Sequence, residues 1–256
     1  MPTGRTIREL KSLAYFAKAE FPDVAHRERH NGFVEYAYAA SNTQLNGRSS
    51  TGTIKIPDNY NEAMRLPEAH LWKAATEKEL KRLQDLNVYK LVPKSDVPEG
   101  QNVIGSTWVF KLKADHKFKA RIVAHGWNQV HGRDCYGTYA PVCRLQSIRM
   151  VLAIAAEKNW EVIQVDVNTA FLYASFEEEE KVLVEMAPGF VQFTKDGVRY
   201  VMDLQKSIYR LAQSPRNWWK TIDPKLIEIG FVPLKSDSCV YIYHHKSNAV
   251  IITLYV

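Results

Sequence analysis

The sequence predicts an α+β fold, an antiparallel sheet backed by helices. Three observations lead there. Segments rich in β-formers occur in pairs around short polar turns, as hairpins do. Three longer segments carry apolar residues at helical spacing. The two kinds of segment do not alternate in the regular strand–helix order of a parallel sheet.

Residues 1–57 show no sustained periodicity, and Ser41-Asn42-Thr43 and Gly47-Arg48-Ser49-Ser50-Thr51-Gly52 have linker chemistry. This stretch is expected to be a tether with a short helix near Ile7–Ala19. From Pro67, the residues Leu71, Trp72, Ala75, Leu80, Leu83 and Leu86 recur on one helical face with charged residues between them, predicting a helix that ends near Asn87. Val88–Val92 alternates like a short strand. Ser106–Lys113 and Phe118–Ala124 flank Ala-Asp-His-Lys and predict a hairpin. On its second strand Lys119, Arg121 and Val123 share one face, and Phe118, Ala120 and Ile122 share the other.

Arg144–Lys158 predicts a second helix, with an apolar stripe through Ile148, Val151, Leu152, Ile154 and Ala155. Val162–Val167 reads as a buried strand and Val182–Met186 as another, before the turn Pro188-Gly189. Ser207–Ile229 has helical spacing, broken or kinked at Pro215 and Pro224. Two closing strands, Cys239–His244 and Ala249–Val256, flank Lys246-Ser-Asn248.

Composition narrows the function classes. Of 256 residues, 46% are hydrophobic and 24% charged, as in globular proteins. No apolar run is long enough to span a bilayer, and the opening residues hold no hydrophobic signal core, so neither a membrane partner nor secretion is expected. The three cysteines lack the spacing of a zinc site or a disulfide framework and are expected to be free thiols. The net charge of +6 leans towards a polyanionic partner. Lys111, Lys113, Lys117, Lys119, Arg121, Arg133, Arg144 and Arg149 fall in one stretch, which fits either a solvated face or a phosphate-binding surface.

The most informative residue is Asp166, a carboxylate inside the apolar run Val-Ile-Gln-Val-Asp-Val. Such a group needs a partner: a lysine, backbone amides, or a metal ion. Phe171 follows five residues later, after a small residue. Trp108-Val-Phe-Lys, Lys119-Ala-Arg-Ile-Val-Ala-His-Gly, Tyr139-Ala-Pro-Val-Cys-Arg-Leu-Gln-Ser-Ile-Arg149, Gln164-Val-Asp-Val-Asn-Thr-Ala-Phe-Leu172, Pro188-Gly-Phe190 and Lys206-Ser-Ile-Tyr-Arg-Leu-Ala-Gln-Ser-Pro-Arg-Asn-Trp218 follow in order. Together they resemble the reverse transcriptase of copia-type LTR retrotransposons, from about Trp72 onwards.

The resemblance implies a right-hand polymerase fold, with a fingers-like region over 58–160 and a partial palm over 161–256. It implies RNA-directed DNA synthesis on a primed RNA or DNA template from deoxynucleotide triphosphates. Mg²⁺ would be the cofactor, in two-metal nucleotidyl transfer. Asp166 would be the first catalytic carboxylate and metal ligand, with the Val167 carbonyl as a second oxygen donor. Phe171 would lie under the incoming sugar and exclude a 2′-hydroxyl. Lys111, Lys119 and Arg121 would reach the triphosphate, and Gln213 would contact the nucleotide. Trp108, Trp218 and Trp219 are weighed as base-stacking residues against core burial, which is favoured for most of them. The expected partners include the rest of a Pol polyprotein, integrase upstream and RNase H downstream. The expected location is cytoplasmic particles or the nucleus.

The pattern also departs from the family. Tyr255-Val256 closes the sequence where the family continues with two aspartates, so a C-terminally truncated domain without activity of its own is expected. Arg210 stands where the family usually has glycine, as does Ala174 nearby, and Pro224 interrupts a helix. An Arg at a turn glycine forces a backbone change if φ is positive there. The run Glu177–Glu180 is tolerable only if exposed. The alternative reading is a non-catalytic nucleic-acid-binding remnant of a decayed element.

Overall fold

Local sequence chemistry ends the helices where the pattern predicts. The structure, a computed structural model, describes residues 24–26, 54–177, 180–245 and 248–255. The expected helix at 7–19 and part of the final turn lie outside the described residues. The described residues divide into two compact units, each discontinuous: those of 54–138 with 174–214, and those of 24–26 with 139–173 and 215–255. Residues 139–160, expected with the fingers-like region, belong to the second of these; residues 174–214, expected with the palm, belong to the first.

The first unit holds helices α1 (Tyr60–Ala63) and α2 (Ala69–Asp85). Asn59 caps α1 by accepting a hydrogen bond from the Glu62 amide at 2.9 Å. After α2, Asn87 adopts φ +50, and the Val88 and Asn87 amides bond back to Leu83 and Gln84. That is a Schellman closure with asparagine in the left-handed position. The buried stripe of α2 is Trp72, Thr76, Glu79 and Leu83, rotated from the expected one; Leu71 is exposed. Spacing alone set the helical period but not the phase, because two polar residues sit on the buried face.

Strands β2 (Tyr89–Pro93), β8 (Tyr200–Leu204), β7 (Val182–Glu185) and β3 (Val103–Ile104) form a four-stranded sheet in that order. It is antiparallel except for the β3–β7 pair. A separate hairpin joins β4 (Ser106–Leu112) to β5 (Phe118–Ala124), with Trp108 opposite Ile122, Phe110 opposite Ala120 and Lys111 opposite Lys119. Cross-strand partners share a face, so Trp108, Phe110, Leu112, Phe118, Ala120 and Ile122 form one apolar side. The Trp72 ring meets Phe110 and Phe118 edge-on, with centroids 5.3 and 4.5 Å away. Trp108 is buried, and its indole N–H donates to the Pro188 carbonyl at 2.9 Å.

Ser207–Gln213 is not helical, contrary to the sequence expectation. This segment runs beside β5 instead: Tyr209 bridges Val123, and its carbonyl accepts from the Ala124 amide at 3.0 Å. Arg210 then turns the chain at φ +68. The missing turn glycine thus costs backbone strain at an exposed arginine. Gly126 lies under this turn, where a Cβ would overlap the Arg210 carbonyl oxygen. Ala174 is fully buried without a positive φ, so alanine fits there.

The second unit contains β1 (Val24–His26), α3 (Leu145–Glu157), β6 (Val165–Val167), α4 (Ser214–Glu228), β9 (Val232–Pro233), β10 (Val240–His245) and β11 (Asn248–Thr253). α4 begins at Ser214, so Pro215 sits in the first turn, where its missing N–H is harmless. The helix continues through Pro224 and closes at Gly230, φ +97. The β9–β10–β11 sheet is antiparallel. Cys143, Cys239 and Val240 form a buried cluster with Ile148, Val151, Trp219, Ile251 and Leu254 packed against it. All three cysteines are free and buried.

Asp237 joins the hairpin to α3. It accepts from the Ser147 hydroxyl at 2.6 Å and from the Arg144 amide at 3.0 Å, so a carboxylate from a distant loop caps the helix N-terminus. Burial pushes its pKa up, but the bonds from Ser147, Arg144 and Cys239 outweigh this and hold it below the ordinary carboxylate value. No helix among the described residues is long and apolar enough to cross a membrane.

Candidate functional site

Two regions carry the expected site residues. The first is the polar side of the β4–β5 hairpin. Lys111 is exposed on β4, opposite Lys119, while Lys119 and Arg121 on β5 are half-buried. The Arg121 guanidinium lies over the Tyr209 ring, 4.8 Å from its centroid. Buried Glu79 of α2 faces this group, and its Oε1 and the Arg121 Nε have no hydrogen-bond partner among the described residues. Burial raises the Glu79 pKa, opposed by Arg82, Arg121 and Lys119. Lys119 is pushed down to about 8, first by burial and then by the positive charges of Arg121 and Lys113, with Glu79 opposing.

A buried network holds the loop after β5. Asp134 is 1% exposed and accepts from the Asn102 amide and the Val130 N–H at 2.7 Å each, and from Arg133 Nε at 3.1 Å. Gln213 is fully buried, donating to the Asp134 carbonyl at 3.0 Å and accepting from Gln129 at 2.8 Å. Gln129 in turn accepts from the Ala212 amide at 2.8 Å. Both ends of the Gln213 side chain are therefore engaged inside the protein.

The second region contains Asp166, in β6, opposite Ala25 of β1. The strand expected to be buried is short and exposed: β6 is three residues long and Asp166 is exposed, as are Val162, Ile163 and Val165. A run of β-formers reports fitness for a pleated strand, not the presence of a covering layer. Val167 is half-buried at the end of β6. Thr169 follows at φ +59, a costly conformation for a β-branched residue, with its hydroxyl bonded to the Asn168 carbonyl at 2.6 Å. Phe171 is half-buried in the 3₁₀ turn Ala170–Tyr173.

Comparison with known proteins decides the family. A model described as reverse transcriptase (RNA-dependent DNA polymerase) matches residues 86–256. The chain belongs to this reverse transcriptase family. It is 36% identical over 206 residues to the retrovirus-related Pol polyprotein from transposon TNT 1-94 of Nicotiana tabacum, covering 78% of this chain and 15% of that protein. It is 32% identical over 236 residues to the Pol polyprotein from transposon RE1 of Arabidopsis thaliana, covering 85% and 16%. It is 30% identical to the truncated Ty1-A Gag-Pol polyprotein of Saccharomyces cerevisiae, covering 77% and 16%. The chain thus spans about a sixth of the length of these relatives. No solved structure matches.

For a reverse transcriptase, the metal chemistry of the described residues is incomplete. No group of three or more His, Cys, Asp or Glu converges among them. One carboxylate and one carbonyl do not hold two Mg²⁺, which takes six oxygens in near-octahedral geometry. Trp108 and Trp218 are core residues, 2% and 4% exposed. The reading from sequence missed Glu79 and Asp134. Glu79 carried a signal, since it lies seven residues after Trp72 and so on the same helical face.

Proposed function

We propose that this chain forms the fingers and the first part of the palm of a copia-type reverse transcriptase. In this reading the polar face of the β4–β5 hairpin receives the phosphates of a deoxynucleotide triphosphate and of its primer–template. The observation that carries it is the setting of Lys119 and Arg121. A solvated charge run keeps its cations in water. Here two cations are half-buried on one face with Lys111, beside a single carboxylate that does not neutralise them. An arriving phosphate would supply counter-charge to the exposed parts of these cations.

Asp166 would contribute one carboxylate and Val167 one carbonyl oxygen to Mg²⁺. They do not complete a site, so no step is routed through the metal. Phe171 is proposed as the residue under the incoming sugar. Gln213 would reach a nucleotide only by exchanging its bonds to Gln129 and Asp134.

The test is binding of a primer–template to the purified chain over a range of salt. Replacing Lys111, Lys119 and Arg121 by Ala should flatten the slope of log K against log salt by about 0.9 per lost phosphate contact. An unchanged slope would remove the face from the phosphate path. In primer extension by the polyprotein carrying this chain, Asp166→Asn should lower the rate by at least about 100-fold. Undiminished extension would reject Asp166.

A further inference from the structure

The alternation that places Lys119 and Arg121 on one side of β5 continues through Val123, which is buried beside Tyr209, and past the strand. His125 has the same parity, and its amide donates to the Gly105 carbonyl at 2.8 Å, extending the ladder by one step. Gly105 lies beneath the imidazole: a Cβ there would sit 2.5 Å from His125 Nδ1. On the His125 ring lies Trp127, nearly parallel at 18°, with centroids 4.5 Å apart. The indole is 68% exposed, whereas Trp72, Trp108 and Trp218 are buried.

The loop that carries Trp127 is tied to the segment around Arg210–Gln213. Gly126 fits beneath the Arg210 turn, and Gln129 bonds to Ala212 and Gln213. An exposed indole oriented by a second ring, on the loop that follows the cationic strand, presents a flat π-surface to water. The charge beside it selects the occupant. Lys111, Lys119 and Arg121 attract a polyanion, and a polyanion that also offers flat rings is a nucleic-acid strand.

We infer that Trp127, held flat on His125 at the head of the cationic hairpin face, is a stacking platform for an unpaired base of a nucleic-acid strand. This rests on the nucleic-acid reading proposed above and adds a contact of a different kind. Phosphate contacts set the salt dependence. Stacking adds affinity that salt does not screen.

The experiment titrates the purified chain with a fluorescein-labelled oligodeoxythymidine of about 15 nucleotides, at several salt concentrations. Trp127→Ala should weaken binding by about 5- to 150-fold with an unchanged salt slope. Trp127→Phe should bind within about twofold of the unsubstituted chain, and Trp127→Leu should behave like alanine. The side chain is exposed, so all three variants should melt like the unsubstituted chain. Equal affinity for Trp127→Ala overturns the inference. Retention of affinity by Trp127→Leu also overturns it, marking an apolar surface suited to a protein partner. Failure of the unsubstituted chain to bind the oligonucleotide overturns the nucleic-acid reading itself, and the platform with it.

Discussion

The hairpin face and the Asp166 segment differ in how they are held. Lys119 and Arg121 stand on a seven-residue strand that is paired along its length, beside buried Glu79, with the Asp134–Gln213 network securing the next loop. Asp166 stands on a three-residue strand with exposed neighbours, before a strained threonine. The hairpin face proposed to meet phosphates lies within one compact unit. The carboxylate has its backbone geometry but no convergent acidic neighbours among the described residues. If the proposed reading holds, binding and chemistry are separable in this chain: the first would need only the cationic face, whereas the second needs several oxygens brought to one point.

The largest expected effect breaks the support of the hairpin region. Asp134→Ala leaves the Asn102 amide, the Val130 N–H and Arg133 without their acceptor. It should lower stability by about 3 kcal/mol, read as a shifted denaturant midpoint at constant slope. No comparable loss should follow Asp166→Ala, which forms no ion pair among the described residues.

A smaller effect contrasts the two strained turns. Arg210 is exposed at φ +68, so Arg210→Gly should stabilise by about 1 kcal/mol. Thr169 is buried at φ +59, so in Thr169→Gly the relief of strain is offset by lost packing. The net change there should stay within about 0.5 kcal/mol. A clear gain at Thr169 would mean that its side chain holds nothing in place.

Much of this was legible in the sequence, and the failures share a cause. The helix at Ala69–Asp85 and the hairpin at 106–124 depend on near neighbours: spacing, an αL asparagine and a polar turn. The family motifs were legible for the same reason, being contiguous. Ser207–Gln213 was misread because its apolar spacing suits a helix, while its partner is β5, far away in the chain. Strand β8 was missed, although Tyr-Val-Met-Asp-Leu pairs on both sides. The burial of Val162–Val167 was misjudged because an apolar run does not say what covers it. Glu79 and Trp127 were not singled out, since neither lies in a motif that the sequence pattern marks.

The measurement that reaches the central claim most directly uses Lys119. Its pKa is held below the ordinary 10.5, down to about 8, by burial and neighbouring cations. Between those values the unfolded chain carries a proton that the folded chain has lost, so stability rises with pH across this window. Phosphate binding has the opposite sign, because the free site loses its charge there. Binding of a deoxynucleotide triphosphate, followed without divalent metal from about pH 7 to about pH 10, should weaken as the pH passes 8, and Lys119→Arg should abolish that decline. The same pH profile in both proteins would contradict the account, since the triphosphate would then not be meeting Lys119.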